Sequence, residues 1–507
     1  MKHILPFLFL SLAAPAIAAV GDDFDFTYEG QTLTYTVISE ADKTVATKAG
    51  NSSGAGNSIS GELILPSMVE YNGDEYELTT ISTYAFVYSK EMANVVIPNS
   101  VTSIEAGAFG YCTGLTTLTI PDSMVTIGDY AFSNCSKLVT VVMGNSVQSI
   151  GDYGFFECEV LRRVEISDLA AWCGISFVNM FSNPMFYAEH IYLDGEEIID
   201  LVVPDTVTAI GKNAFIYGVA LKSVVIPESV TSIDYGAFCY CNYITSVKLP
   251  SALTYLGDFV FYECNRLVDI NLPSTIRAIG ASTFANCHSL TEIDIPDSVT
   301  SLGEQSFYGC FYLRSIKLPE SVTEIAKSSF AYCHSLKDVK LPSSLTSLSD
   351  FLFNNCDALE EITLPGSVTS IGLATFGYCS ALKSIVIPGA VTSLGDGAFI
   401  NCSALASITS EATTPPVCGK QAFDNVDKAG CTLYVPEGSL EAYKSAAIWK
   451  DFLNVEAAGI KDIMADEAGK DIYSLNGQLI KRNASRSDLQ SLTPGLYIIE
   501  GRMIMVK

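Results

Sequence analysis

Histidine is scarce, four in 507 residues, and so is tryptophan, with two. Basic side chains are outnumbered, 29 Lys and Arg against 56 Asp and Glu, for a formal net charge of −27. Polyanions are repelled by such a chain, so nucleic acid and anionic membrane surfaces are excluded as general partners. H-E-x-x-H, the P-loop and C-x-x-C are all absent, which removes the common zinc-hydrolase, nucleotide and thiol-redox signatures. His3 lies in the first residues, His190 stands apart, and His288 and His334 are two repeat steps from one another. At about 4.8 Å per stacked strand that is roughly 10 Å, too far for shared zinc ligation. No metal or cofactor site is expected. Beyond the N-terminus no run of 18 apolar residues exists, so no transmembrane segment is expected.

The chain opens "MKHILPFLFLSLAAPAIAAV": a basic start, an apolar run, then the small residues Ala16-Ile17-Ala18. This pattern reads as a secretory leader over residues 1–19, and the mature chain is expected outside the cytoplasm. No cysteine precedes Cys112, so a lipid-anchored cysteine at the cut is not expected. Hydrophobic content of 49% argues for an ordered interior, and the length calls for several domains or a repeat array.

The array is explicit. Cys241, Cys264, Cys287, Cys310, Cys333, Cys356, Cys379 and Cys402 follow one another at 23 residues, as do the prolines from Pro204 to Pro388 and the phenylalanines from Phe215 to Phe399. An earlier block keeps the same step through Phe86, Phe109, Phe132 and Phe155. Thirteen copies result, four and then nine, of roughly I-P-x-S-V-T-S-I-G-x-x-A-F-x-x-C-x-x-L-x-x-I-x. Alternation in "LRSIKLP" and "LTEIDIP" before the proline predicts a short strand, and "SVTSIG" and "AFxxC" predict turns that tuck their apolar residues into the same interior. One such loop buries too little to offset the entropy of ordering it, so copies must stack and share an interior. The expected fold is a repeat solenoid of parallel strands.

A recurring cysteine is the one feature that could signal chemistry. Ser89 and Gly218 take its place in two copies, so small size rather than sulfur reactivity is the shared property, and free, buried thiols are expected. Cys418 and Cys431 lie off the column, and a disulfide between them stays open. The Gly slot after "SI" or "SL" is Glu105, Asp234, Ala326 or Ser349 elsewhere, so a left-handed backbone is not required there.

The unit "LxxIxLPxSVTSIGxxAFxxC", across about residues 81–410, resembles the BspA-like class of leucine-rich repeat of bacterial surface proteins. The resemblance implies a leucine-rich repeat solenoid that binds a protein or glycan ligand without catalysis. Residues 20–80 are expected to form a β-rich cap, 81–166 the first repeat block, 167–203 an insertion or oversized coil, 204–410 the second block, and 411–459 a closing cap. Residues 460–507 read as a small β-rich domain resembling a type IX secretion sorting domain, through Tyr473, Asn476-Gly477, Pro494-Gly495, Tyr497 and the basic end at Lys507.

Two candidate partner surfaces emerge. Tyr88, Tyr111, Tyr217, Tyr240, Tyr332 and Tyr378 all stand just before the small slot and would form an interrupted stripe, with Tyr130, Tyr153 and Tyr235 in the preceding turn. These rings could equally lid the coil edge. The outward strand positions carry Lys248, Lys317 and Lys340 among mixed charges, without an aromatic anchor. The insertion is read either as a tolerated coil with Trp172 packed inside or as part of a binding face. Three functions compete: an exported surface binding or adhesion module for host or neighbouring-cell macromolecules, a structural envelope component, and carbohydrate capture or hydrolysis at the insertion or caps.

Overall fold

The computed structural model describes residues 18–50, 53, 59–458, 470–474, 479–484, 495–499 and 502–506. Most of the expected leader lies outside these residues, as do Asn476, Gly477, Pro494 and Lys507. The chain divides into two compact units between Ile276 and Arg277.

The repeats form a β-solenoid of about sixteen turns of roughly 23 residues. Strands such as Thr117–Thr119, Thr140–Val142 and Arg163–Ile166 lie parallel in one ladder of the first unit. The "SVTSIG" stretch, expected as a turn, instead builds a second ladder from two-residue strands, as in Ser301–Leu302 beside Glu324–Ile325. Its β-branched residues alternate inward and outward, which suits a strand as well as a corner. "LTEIDIP" departs the other way: Ile293 and Ile295 are buried, yet no strand forms there.

The third side of each coil explains the "AF" motif. The residues two before and two after the phenylalanine hold left-handed backbone, for example Ser328 (φ 58°) and Tyr332 (φ 62°) around Phe330. The alternating conformation turns three N–H groups along the stack: Ser328, Phe330 and Tyr332 donate to the carbonyls of Asp350, Leu352 and Asn354 at 2.9, 3.0 and 2.7 Å. Inside, the phenylalanines stack. Phe86, Phe109, Phe132 and Phe155 follow at 5.3–5.4 Å in the first unit, and Phe284 through Phe423 at 5.2–5.7 Å in the second.

All fifteen cysteines are free thiols, Cys418 and Cys431 included. The small-slot reading holds but is incomplete, because the thiol also donates. Cys310 Sγ reaches the Phe284 carbonyl of the preceding coil at 3.2 Å, Cys333 that of Phe307 at 3.3 Å, and Cys402 that of Phe376 at 3.0 Å. The Gly slot has no left-handed requirement, yet glycine there has a steric reason. A Cβ on Gly303 would stand 2.5 Å from the Ala281 nitrogen, and one on Gly395 2.5 Å from the Gly372 carbon.

Both ends are closed. In the N-terminal segment an antiparallel hairpin, Asp23–Tyr28 with Gln31–Ser39, leads into Thr44–Thr47, which pairs parallel with Asp74–Ile81. At the other end Trp449 and Phe452 cover the last phenylalanine, Phe423, at 5.2 and 5.3 Å. Residues 470–506 contain four antiparallel strands, Lys470–Ser474, Leu479–Ala484, Gly495–Ile499 and Arg502–Val506. Among the described residues no helix is long and apolar enough to cross a membrane.

Burial pushes the Cys112 and Cys402 thiols from their ordinary 9.0 up to about 12, so both stay protonated at pH 8. A maleimide or iodoacetamide should therefore leave the column cysteines unlabelled in the native protein and label all of them in denaturant, as mass spectrometry would read. Between pH 9 and 12 these two thiols ionise in the unfolded chain while burial holds them protonated in the folded one. The thermal midpoint should accordingly fall as pH rises through that window.

Candidate binding surface

Six of the repeats place tyrosine two residues after the phenylalanine, in the left-handed slot just described. Tyr88, Tyr111, Tyr217, Tyr240, Tyr332 and Tyr378 all have φ between 56° and 64°. Bulky residues avoid this region and asparagine tolerates it. Asn134, Asn286, Asn355 and Asn401 fill the same slot in other coils with φ of 60–61°. The backbone therefore does not call for tyrosine, and a ring held in a disfavoured conformation points to a use for the ring.

In the first unit the rings join the insertion. The ladders enter residues 167–203 by one longer step, Ser149 pairing with Ser176 and Val164 with Ile191, each 27 residues on; both sheets then end, and new ladders begin at Asp200–Val202 and Ala209–Ile210. Asp168 caps the helix Leu169–Cys173 through the N–H groups of Ala170 and Ala171 at 2.8 and 3.0 Å. Trp172 is buried and its Nε1–H donates to the Ala214 carbonyl at 2.9 Å. The buried Asn183 donates from Nδ2 to the carbonyls of Asn213 and Ala214 at 2.8 and 3.2 Å. These side chains thus supply contacts to the following coil. A hairpin turns at Asp194-Gly195, between Ile191–Leu193 and Glu196–Glu197.

This docking presents Phe181, Phe186 and Tyr187 at the surface. Tyr130 stacks on Tyr153 at 5.1 Å and Tyr153 on Phe181 at 5.5 Å. Phe181 meets Phe186 at 4.7 Å, Phe186 meets Tyr217 at 4.9 Å, and Tyr217 stacks on Tyr240 at 4.4 Å. Tyr240 continues to Tyr262, Phe259 and Tyr235 at 5.2–5.5 Å spacings. Phe156 and Tyr187 flank the line. Eleven rings are therefore connected, all exposed or half-buried. Phe181 and Phe186 escape the 23-residue register, so periodicity alone could not assign them to the stripe. Burial raises the Tyr217 and Tyr240 hydroxyls above their ordinary value, and both stay protonated in neutral solution. Exposed Glu157, Glu189 and Asp258 stand along the chain beside these rings, while Lys212 Nζ lies 5.5 Å over the Tyr235 ring.

The remaining candidates scatter. Tyr88 stacks on Tyr111 at 4.7 Å in the same unit. Tyr332 belongs to the second unit, with Tyr308 at 5.1 Å and His334 at 6.0 Å. His288 stacks on Phe311 at 4.3 Å, and Phe311 in turn lies 5.1 Å from His334. His334 Nδ1 is 2.6 Å from Asp357. The half-exposed Tyr378 stands 46 residues further along. Lys248, Lys317 and Lys340 are exposed. Lys317 and Lys340 lie side by side across a ladder pair, and Lys340 reaches Glu320 at 3.7 Å, whereas Lys248 lies in the other unit. Among the described residues no group of three His, Cys, Asp or Glu side chains could hold a metal ion.

The model of the family described as "BspA type Leucine rich repeat region" matches residues 79–184, 190–314 and 300–429. The chain belongs to the BspA-type leucine-rich repeat family. Among solved structures it is similar to a leucine-rich repeat protein from Bacteroides ovatus, at 26% identity and a TM-score of 0.57, over 86% of this chain and 100% of that one. It is also similar to a leucine rich cell surface protein from Faecalibacterium prausnitzii, at 25% identity and a TM-score of 0.47, over 76% of this chain and 94% of that one. The leucine-rich repeat protein of T. pallidum is 33% identical over 32% of this chain and 77% of its own, with a TM-score of 0.30. No curated protein matches. No enzyme family is indicated, and the leucine-rich repeat solenoid is typically a non-enzymatic binding scaffold.

Asn183 fastens the insertion to the repeat that carries Tyr217. Asn183→Ala removes three buried hydrogen bonds, two to the following coil and one from Met185 N–H, and should cost about 2–3 kcal/mol in urea denaturation, with the near-UV tyrosine dichroism reduced before the global transition. An unchanged near-UV spectrum would show that the aromatic line does not depend on this clamp.

Proposed function

We propose that the BspA-type chain is an exported surface module that captures a protein of a host or neighbouring cell through its line of aromatic rings, without catalysis. The single observation behind this is the joining of Tyr130, Tyr153, Phe181, Phe186, Tyr217 and Tyr240 into one surface line by an insertion that breaks the repeat. Exposed contiguous aromatic area of this kind marks interaction sites, and tyrosine and phenylalanine supply anchors at low entropic cost.

The ring geometry favours a protein over a glycan. A sugar stacks on the face of an aromatic ring, but Tyr217 and Tyr240 stack on each other at an interplanar angle of 16°, and Tyr130 and Tyr153 at 13°. Their inner faces are covered, leaving edges and hydroxyl groups outward. Protein side chains meet such edges readily. With Glu157, Glu189 and Asp258 beside the rings, the complementary surface has an apolar centre and a basic rim.

Solid-phase binding to extracellular-matrix proteins and mucins should be saturable, and Phe186→Ala with Tyr217→Ala should weaken it at least about tenfold. A Lys248→Ala control should leave it within about twofold. Absence of saturable binding to every member of the panel, or indifference to the double substitution, would sink the reading. Self-association without any ligand, seen by light scattering, would instead favour an envelope component.

Export rests on the N-terminal leader pattern and on the tail, whose Tyr473, Gly495 and Tyr497 lie in strands of a small antiparallel sheet. As a sorting domain, residues 460–507 should be needed for surface display. Deleting them should move the protein from the surface fraction to the periplasmic fraction, and an unchanged distribution would reject that role.

A further inference from the structure

The second unit holds an island of positive charge in an acidic chain. From Phe311 to Leu341 five Lys and Arg stand against three Asp and Glu, where the whole sequence has 29 against 56. Four of the five, all exposed, lie at the corner that enters the first ladder: Arg314 and Lys317 in one coil, Lys337 and Lys340 in the next. At the same places the coil before carries Thr291 and Asp294, and the coil after carries Glu360 and Thr363. Lys337 N–H donates to the Arg314 carbonyl at 2.9 Å, and Lys317 pairs with Lys340 in the ladder. Each cation therefore has a like charge one coil away, an arrangement that opposes the pairing. Glu320 relieves Lys340 at 3.7 Å, but among the described residues Arg314, Lys317 and Lys337 form no ion pair.

A groove of about 690 Å³ opens beside these cations, lined by Ser315, Lys317, Asp338, Lys340 and Thr363 among others. Its volume lies in the range of ligand-binding clefts. Arg314 and Lys337 directly precede the lining residues Ser315 and Asp338. Two residues before Arg314, Tyr312 is 60% exposed. Among the described residues no aromatic partner covers its ring, in contrast to Tyr217 and Tyr240, which cover each other.

The mixture of groups selects the ligand. Four cations call for anionic groups. Asp338 and Glu320 in the same lining repel a densely charged polyanion but accept hydrogen bonds from hydroxyl groups, and Ser315 and Thr363 add exposed hydroxyls of their own. An uncovered aromatic ring takes the apolar face of a sugar. A uronic acid carries a carboxylate, several hydroxyls and such a face on one pyranose ring.

We infer that the corner made by residues 312–317 and 337–340 is a binding site for an acidic oligosaccharide built of uronic acids. Its carboxylates meet Arg314, Lys317, Lys337 and Lys340, and the Arg314 guanidinium can hold one of them bidentately. Its hydroxyls donate to Asp338, and one sugar ring lies on Tyr312. This site belongs to the other unit from the aromatic line and does not rest on it, so either can fail alone.

The test uses the full chain and three fluorescently labelled probes followed by anisotropy: hexagalacturonate, its methyl ester, and hexaglutamate. The ester keeps the sugar rings without the charge, and the peptide keeps the charge without the rings. Hexagalacturonate should bind at least about tenfold more tightly than either. Arg314→Ala with Lys337→Ala should weaken it at least about tenfold, and Tyr312→Ala at least about threefold. Lys327→Ala removes a cation of the same stretch that already pairs with Glu304 at 3.1 Å, and should leave binding within about twofold. Circular-dichroism melts show that each variant folds. Equal binding of hexaglutamate would reduce the site to charge attraction, and equal binding of the ester would show the cations unused. Either result, no saturable binding of hexagalacturonate, or indifference to the paired substitution overturns the proposal. Should the paired variant fail to fold, the comparison of the three probes on the unaltered chain decides by itself.

Discussion

Each coil of this chain has an interior only because the next coil covers it. The contact that enforces this is the column of phenylalanines, repeated at 5.2–5.7 Å through the second unit and anchored on both sides by left-handed residues. A ring at that spacing touches the ring before and the ring after, so the backbones must come as close as the rings allow. The same approach makes glycine the common residue after "SI", where a Cβ would collide with the preceding coil's main chain. It also sets the cysteine within reach of a carbonyl in the coil behind it. Three residue preferences of the repeat thus follow from one distance.

That closeness explains why the ends and the interruptions carry special residues. A final Phe423 left bare would expose a full ring face, and Trp449 with Phe452 covers it. At the insertion the step lengthens to 27 residues, and Trp172 and Asn183 reach the following coil through side-chain hydrogen bonds to Ala214 and Asn213. Both side chains are buried polar groups with their donors satisfied, which is the condition for tolerating them there.

The repeat, its step, the buried Phe and Cys columns and the strand before the proline were legible because they recur thirteen times, and recurrence averages away local noise. Recurrence also hid things. The second ladder at "SVTSIG" was read as a turn because its strands are only two residues long, below any alternation that a pattern can establish. The thiol's hydrogen bond was invisible because serine and glycine substitute for it. Least legible was the site. Tyr217 and Tyr240 stood out by position, but Phe181 and Phe186, which link them to Tyr153, lie in the one stretch where the period fails. Between them the buried Asn183 bonds the following coil, and a buried asparagine has no signature in a single sequence.

Surface function in such a scaffold is confined by the same constraint that builds it. Inward positions must accept the shared interior, and left-handed positions favour small or amide side chains, so freedom lies on the outward strand positions and in whichever coils break register. A tyrosine in a left-handed slot is destabilising by about 1 kcal/mol relative to the region's preferred residues, yet Tyr217 and Tyr240 occupy adjacent slots beside the insertion. Stacking of the two rings recovers some of that energy, about 0.5–1.5 kcal/mol for a well-placed pair. Tyr378 shows that this recovery is not the selection rule: its neighbours in the slot are Asn355 and Asn401, and its ring is 46% exposed. The rings are better understood as outward-facing contacts tolerated by a backbone that would accept asparagine, gathered into a continuous surface where the insertion supplies the missing links.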